Sequence, residues 1–139
     1  MSLQVNIYFF FNGNCEEAMN FYKDALDGNI ESVMRYGDAP TQASEDYKNK
    51  VMHGVLNAQG AQIFFSDSGE QRNVTFGDNF SVSLNFKSDG EINRTFEALS
   101  GNGGTITLPL QDTFWGARFG MCTDKYGVNW MFNFDKPKD

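Results

Sequence analysis

Two periodicities alternate along the chain, and they switch twice in the same order. Val5 to Phe11 sets Val5, Ile7, Phe9 and Phe11 against Asn6, Tyr8 and Phe10, the period of a strand. Asn12-Gly13-Asn14 ends it with turn chemistry. Asn14 or Cys15 then opens a helix whose first turn holds Glu16 and Glu17, where carboxylates suit the positive end of the helix dipole. Ala18, Phe21, Tyr22 and Ala25 fall on one helical face, and Gly28 stops the helix, predicted over Glu16–Leu26. Strands follow at Ile30–Tyr36, Val51–Asn57 and Ala61–Ser66, the last two joined by a turn at Gln59-Gly60. The polar stretch from Gly37 to Lys50 reads as a flap or a short helix.

The second pass begins after a Gly-, Asp- and Asn-rich loop, Ser68 to Asn79. Phe80–Lys87 alternates as a strand, Ser88-Asp89 caps a helix over Glu91–Leu99, and Ile92, Phe96 and Leu99 form its apolar stripe. Gly101 to Gly104 stops that helix, and Thr105–Leu108 is a short strand. Pro109 to Gly120 reads as a loop running into a strand. Asp124 to Gly127 supplies a tight turn, and Val128–Phe134 is the last strand, with Val128, Trp130, Phe132 and Phe134 on one face. The order is βαβββ, repeated. Phe21 and Phe96 match across the repeat, as do Ile30 and Ile106, an offset of roughly 75 residues. The expected fold is α+β, with two βαβββ modules forming a cupped mixed sheet and the helices on its convex face. Residues 1–139 form one domain, with modules at about 4–68 and about 79–135.

The faces turned away from the helices carry Asn6 and Tyr8, Gln62 and Ser66, Ser81, Ser83 and Asn85, and Asn129 and Asn133. Such a row reads either as a solvated sheet surface or as the wall of a site for a small ligand. Composition narrows the partners. Eleven basic and 18 acidic side chains give a formal charge of -7, which disfavours nucleic acid and anionic membrane. Two distant cysteines, Cys15 and Cys122, form no metal motif and suit a reduced, cytoplasmic protein. No apolar run reaches spanning length, and the N-terminus has no signal-peptide pattern.

Asn12-Gly13-Asn14-Cys15-Glu16-Glu17-Ala18 followed by Phe21-Tyr22 resembles the first strand–helix junction of the glyoxalase/bleomycin-resistance/dioxygenase, or vicinal oxygen chelate, superfamily. Tyr36-Gly37-Asp38-Ala39-Pro40, Val51-Met52-His53, Phe65-Ser66-Asp67 and the run Asp112-Thr113-Phe114-Trp115-Gly116-Ala117-Arg118-Phe119-Gly120 resemble its PhnB-like branch. The resemblance implies paired βαβββ modules and a homodimer. Metal-using members of the superfamily place His or Glu on inward strand positions, which fall here near Asn6, Phe64, Ser81 and Met131. Phe and Met cannot serve as imidazole or hard-oxygen donors, so neither a metal nor another cofactor is expected. A ubiquinone methyltransferase role, sometimes attached to this branch, lacks a Gly-rich strand-to-helix loop for a nucleoside cofactor.

His53, the single histidine, reads as a packed core residue or as a general base or ligand donor, the catalytic candidate. Arg118 reads as an ion-pair partner of Asp112 or Asp124, or as a fork for an anionic group. Trp115 is core or a stacking wall. Tyr8, Ser81, Asn129 and Met131 complete the expected ligand-binding set. Asp67 and Asp112 read as turn and loop caps. The expected function is binding of a small polar or anionic molecule without a metal. The alternatives are an enzyme acting on a small oxygenated or phosphonate-like compound through His53 and Arg118, and a dimer with a vestigial cleft.

Overall fold

An α-helix leaves its first backbone N–H groups without partners, and a neighbouring side chain must satisfy them. In a computed structural model, which describes residues 2–40, 43–70 and 72–138, the two helices solve this differently. The first, α1 (Cys15–Ala25), has Asn14 at its N-cap but no bond from that side chain. The carboxylate of Asp67, from the end of a strand far along the chain, does the work instead. Its Oδ1 accepts from Gly13 N at 2.8 Å and Cys15 N at 3.0 Å, and its Oδ2 accepts from Val51 N at 3.0 Å. The second helix, α2 (Asp89–Ser100), is capped locally, because extended Ser88 accepts from Glu91 N at 3.2 Å.

Each helix covers one four-stranded mixed sheet of its own unit, Met1–Thr75 or Phe76–Asp139. The first unit contains β1 (Ile7–Phe11), β2 (Asn29–Arg35), β3 (Val51–Ala58) and β4 (Ala61–Asp67) in the order β1-β4-β3-β2. The second contains β5 (Val82–Phe86), β6 (Thr105–Asp112), β7 (Ala117–Thr123) and β8 (Asn129–Asp135) in the order β5-β8-β7-β6. β1 runs parallel to β4 and β5 parallel to β8; the remaining pairs are antiparallel. The fold class is therefore α+β, two βαβββ units, as the repeated pattern predicts. No helix among the described residues is long and apolar enough to cross a membrane.

The buried stripe of α1 is Cys15, Ala18, Met19 and Tyr22, and that of α2 is Ile92, Thr95, Phe96 and Leu99. The two stripes have identical spacing at a shift of about 77 residues, so Phe96 corresponds to Met19 and not to Phe21. Both residues lie over a glycine of the sheet below. A Cβ on Gly54 would come within 2.6 Å of the Met19 sulfur, and one on Gly120 within 3.0 Å of the Phe96 ring. Two large side chains settle close to the sheet because these positions carry none.

Three expectations shift. β6 runs on to Asp112, although the sequence reading ended it at Leu108. Pro109 is tolerated there because β6 is an edge strand and its pairing with β7 is irregular between Leu108 and Gln111. The stretch from Gly37 to Lys50, of which Thr41 and Gln42 lie outside the described residues, opens with a 3-10 turn at Tyr36–Asp38 and is tied down. Tyr36 Oη donates to Asp67 O at 2.7 Å, Tyr47 Oη donates to Ser68 O, and Gly37 N donates to Lys48 O at 2.8 Å. Arg35 adds a two-pronged bond to Glu16 at 2.9 and 2.8 Å, which lowers the Glu16 pKa. Finally, Phe21 and Ala25 are only half-buried, and Cys15 and Met19 take their places in the core.

Asp67 is 1% exposed, so its carboxylate is cut off from water, and among the described residues those three N–H groups are its donors. Each unsatisfied buried donor costs about 1–3 kcal/mol. Asp67→Ala should therefore destabilise the protein by at least ~3 kcal/mol, which at ~1–3 kcal/mol per molar urea moves the unfolding midpoint by about 1 M or more. Asp67→Asn should fall between the two, since its amide offers one acceptor where the carboxylate has two. Urea unfolding followed by far-ultraviolet circular dichroism, which reads both units, checks this, and an unchanged midpoint for Asp67→Ala would refute it.

Candidate functional site

Strand alternation in β1 sends Phe9 and Phe11 under α1 and leaves Tyr8 and Phe10 on the opposite, open face. The register brings partners to them. Tyr8 lies across from Phe64 of β4, Phe64 across from Val55 of β3, and His53 across from Met34 of β2. Tyr8 and His53 meet directly, with Tyr8 Oη 2.6 Å from His53 Nδ1. Around this contact the rings are contiguous. Tyr8 stacks on Phe10 at 5.0 Å between centroids and an interplanar angle of 17°, and Phe64 lies 5.8 Å from Tyr8 and 5.5 Å from His53. Arg72 completes the group, its guanidinium 5.3 Å from the Phe10 centroid.

Burial raises the Tyr8 pKa, with lesser contributions from Cys15 and Tyr36, so the phenol keeps its proton at neutral pH. A protonated phenol is the better donor of this pair. It can therefore donate to Nδ1, an arrangement that fits an imidazole whose own proton sits on Nε2. His53 is half-buried, and Tyr8 and Phe10 are 40% and 37% exposed. The open face of the first sheet is thus an aromatic surface with one hydrogen-bonded polar pair in it.

This corrects the expectation of a neutral polar face there. Ser66 is buried, its hydroxyl donating to Asp67 O at 2.7 Å. Asn6 and Gln62 lie at one end, lining a hollow of about 400 Å³ with Gln4 and Asn57. In the second unit the polar row is present, and its asparagines are already bonded within the unit. Asn129 accepts from Thr123 Oγ1 at 2.7 Å and donates to Gly77 O at 3.1 Å, while Asn133 donates to Asn85 Oδ1 at 3.1 Å. Ser81 is exposed and Met131 is half-buried.

Arg118 does not join Ser81, Asn129 and Met131. Its strand position pairs with Phe134, on the side of β7 and β8 that α2 covers, whereas Met121 and Met131 pair on the other side. There Arg118 Nε donates to Asn93 Oδ1 at 3.1 Å, Nη1 donates to Asp112 Oδ1 at 3.4 Å, and Asp89 lies 4.0 Å away. Asp112 is also paired with Lys136 at 2.8 Å, the main cause of its lowered pKa. Of the two sequence readings of Arg118, the geometry gives the ion pair with Asp112. Trp115 sits in the turn between β6 and β7, 61% exposed, its ring edge-on to Phe114 at 4.9 Å.

The donor set at the superfamily's metal positions does not fit a metal. Phe64 belongs to the aromatic surface, and among the described residues no three His, Cys, Asp or Glu side chains cluster. Both thiols are buried, which raises the pKa of Cys15 and pushes that of Cys122 up to about 12. Neither is a nucleophile at neutral pH. Sequence reasoning missed Phe10 and Arg72. Phe10 was legible from its shared parity with Tyr8, but Arg72 stands in a loop where no periodicity applies.

The family model described as 3-demethylubiquinone-9 3-methyltransferase matches residues 4–132. The chain belongs to this PhnB-like family. Protein YjdN of Escherichia coli (strain K12) is 30% identical over 139 residues, with 93% of each chain covered. Among solved structures, protein PA1353 from Pseudomonas aeruginosa is 40% identical, covers 98% of this chain and 100% of its own, and superposes with a TM-score of 0.87. The putative 3-demethylubiquinone-9 3-methyltransferase, PhnB protein, of Bacillus cereus is 30% identical, with 95% and 99% covered and a TM-score of 0.78. A glyoxalase/bleomycin resistance protein/dioxygenase family enzyme from Burkholderia phytofirmans PsJN shares the fold alone, at 13% identity, 94% and 96% coverage and a TM-score of 0.61. The PhnB-like protein thus carries the glyoxalase-superfamily fold.

The hydrogen-bonded pair makes a direct prediction. Nitrogen-detected NMR of the His53 ring should report the Nε2–H tautomer at neutral pH, and Tyr8→Phe should release the ring to a mixture of tautomers. A wild-type ring protonated mainly on Nδ1 would contradict the assignment of donor and acceptor.

Proposed function

We propose that this PhnB-like protein binds a small oxygen-bearing molecule on the open face of its first sheet, with Tyr8 and His53 meeting the ligand's polar atom and no metal between them. The observation that carries the reading is the 2.6 Å Tyr8–His53 contact set within exposed rings. Few polar groups within an otherwise apolar surface is the composition that fixes a small ligand's orientation. Methyl transfer, the activity in the family's description, is not part of the proposal. The β1–α1 loop holds one glycine, and the backbone N–H groups of Gly13 and Cys15 are spent on Asp67 instead of being free for a nucleotide phosphate.

Catalysis is a second reading, favoured by the same contact. A phenol hydrogen-bonded to an imidazole can pass a proton, so the pair could serve an enzyme acting on a small oxygenated compound. Arg118, bonded to Asn93 and Asp112, would then act through the second unit's stability. A thermal-shift screen of small oxygenated compounds, phosphonates included, tests the binding reading. A ligand at 100 times its Kd should add about 2.7 kcal/mol to wild type. Its shift should disappear in Tyr8→Phe/His53→Ala and persist in Arg118→Ala. Shifts that survive the double variant would overturn the site.

We also propose a homodimer in a reducing compartment such as the cytoplasm. Phe114 is 98% exposed, Trp115 and Phe80 are each 61% exposed, and such aromatic groups favour burial against a partner. The two free thiols suit a compartment where thiols stay reduced. Sedimentation equilibrium at micromolar concentration should give about twice the 15.7 kDa chain mass. A mass near that of one chain would refute the dimer.

A further inference from the structure

We propose that the molecule bound on this face is a planar aromatic anion, its ring lying on Tyr8, Phe10 and Phe64 and its anionic group meeting the guanidinium of Arg72. The inference rests on the binding reading above and adds the ligand's chemical class and the residue that selects it.

The ring surface sets the shape. Tyr8 and Phe10 are nearly parallel at 5.0 Å, and Phe64 and the His53 imidazole continue the surface at 5.5 to 5.8 Å. All belong to one face of one sheet, and Tyr8 and Phe10 are 40% and 37% exposed. A flat ring system makes contact across the whole of such a surface and stacks in the offset geometry that aromatic pairs prefer. A saturated, puckered skeleton of the same size touches it only in part.

Arg72 sets the charge. The chain carries a formal charge of -7, and cations on the first unit are mostly engaged. Arg35 pairs with Glu16, Lys48 with Glu45 and Lys23 with Asp24, while Lys50 donates to Gly13 O. Arg72 has no carboxylate partner among the described residues. Glu70, close to it in sequence, instead accepts from Ser44 N at 2.8 Å. The Arg72 backbone is held in place, its N–H donating to Gly69 O at 2.9 Å and its carbonyl accepting from Ser68 Oγ at 2.6 Å. A guanidinium over a ring is attracted to the ring face and still presents its planar fork of donors to a carboxylate. In a strongly acidic chain, one unpaired arginine on an exposed aromatic surface admits an anion there and disfavours a cation.

The probe is naphthoate, compared with naphthamide, which is planar and neutral, and decalin carboxylate, which is anionic and saturated. Binding is followed by NMR through the ring protons of Tyr8, Phe10 and Phe64. Naphthoate should perturb these rings and bind at least about tenfold more tightly than either comparison compound. Arg72→Gln should weaken naphthoate about tenfold while leaving naphthamide binding and the melting temperature unchanged. Equal binding of naphthoate and naphthamide, or indifference to Arg72→Gln, would overturn the anion assignment and leave the open face standing as a binding surface. Equal binding of decalin carboxylate would overturn the planar assignment. Ring signals that none of the three compounds moves would overturn the class, and the thermal-shift screen then decides separately whether the face binds anything.

Discussion

The carboxylate of Asp67 is the point on which the first unit turns. A buried charge is expensive unless hydrogen bonds replace its water, and here three backbone N–H groups from two different segments do so. The bonds join the start of α1, the start of β3 and the end of β4 at one place. Other groups gather on the same stretch of backbone. Tyr36 and Ser66 donate to the Asp67 carbonyl, Tyr47 to that of Ser68, and Ser68 N donates to Phe11 O at 2.8 Å. That last bond carries the parallel pairing of β1 and β4 one step past Phe11 and Asp67. The end of β4 is held firmly there, and Arg72, four positions after Ser68 in sequence, sets its guanidinium over the ring of Phe10 on β1, the strand beside β4.

The second unit uses the same chemistry over a shorter span. Asp124, 3% exposed, accepts from Tyr126 N at 2.8 Å, Val128 N at 3.2 Å and Trp130 Nε1 at 2.7 Å. This carboxylate closes a turn and anchors the largest fully buried side chain of the core, while α2 is capped by its own Ser88. The units therefore share a topology and differ in where the stabilising bonds come from, long-range in one and local in the other.

That difference explains what the sequence made legible. Features carried by nearest neighbours were readable: the Ser88 cap, the Asp124–Gly127 turn, the Gln59-Gly60 turn with both φ angles positive, and every strand with strict alternation. The repeat was readable too, although its register was not. Phe21 looks like the match for Phe96 because both are aromatic, but the pairing depends on which residue lies over a glycine of the sheet, and a single chain read in order does not reveal that contact. The candidate site divided along the same line. His53 and Tyr8 are 45 residues apart, and the register of β1, β4 and β3 brings them together. For Arg118 the sequence left two readings, an ion pair or a fork for an anionic group, and residue order alone does not choose between them. The pairing with Phe134 turns it toward α2, where Asn93 and Asp112 take its donors.

Three arginines show how an acidic chain distributes its few strong hydrogen-bond forks. Arg118 is spent on structure: it lies between a strand and the first turns of a helix, near Asp89 and Asp112, and a ligand would have to displace those partners to use it. Arg35 is spent likewise, on Glu16 and the carbonyl of Asn49. Arg72 touches a ring and, among the described residues, no carboxylate. Exposing aromatic surface forgoes about 25 cal/mol for each Å² that could have been buried, and leaving a guanidinium over that surface forgoes an ion pair as well. Neither choice is needed for the fold, since the core beneath α1 is closed by Phe9, Phe11, Phe65 and Tyr22 on the other side of the sheet. Where a chain forgoes two stabilising contacts at one place that its core does not need, that place is the one to test first with a ligand.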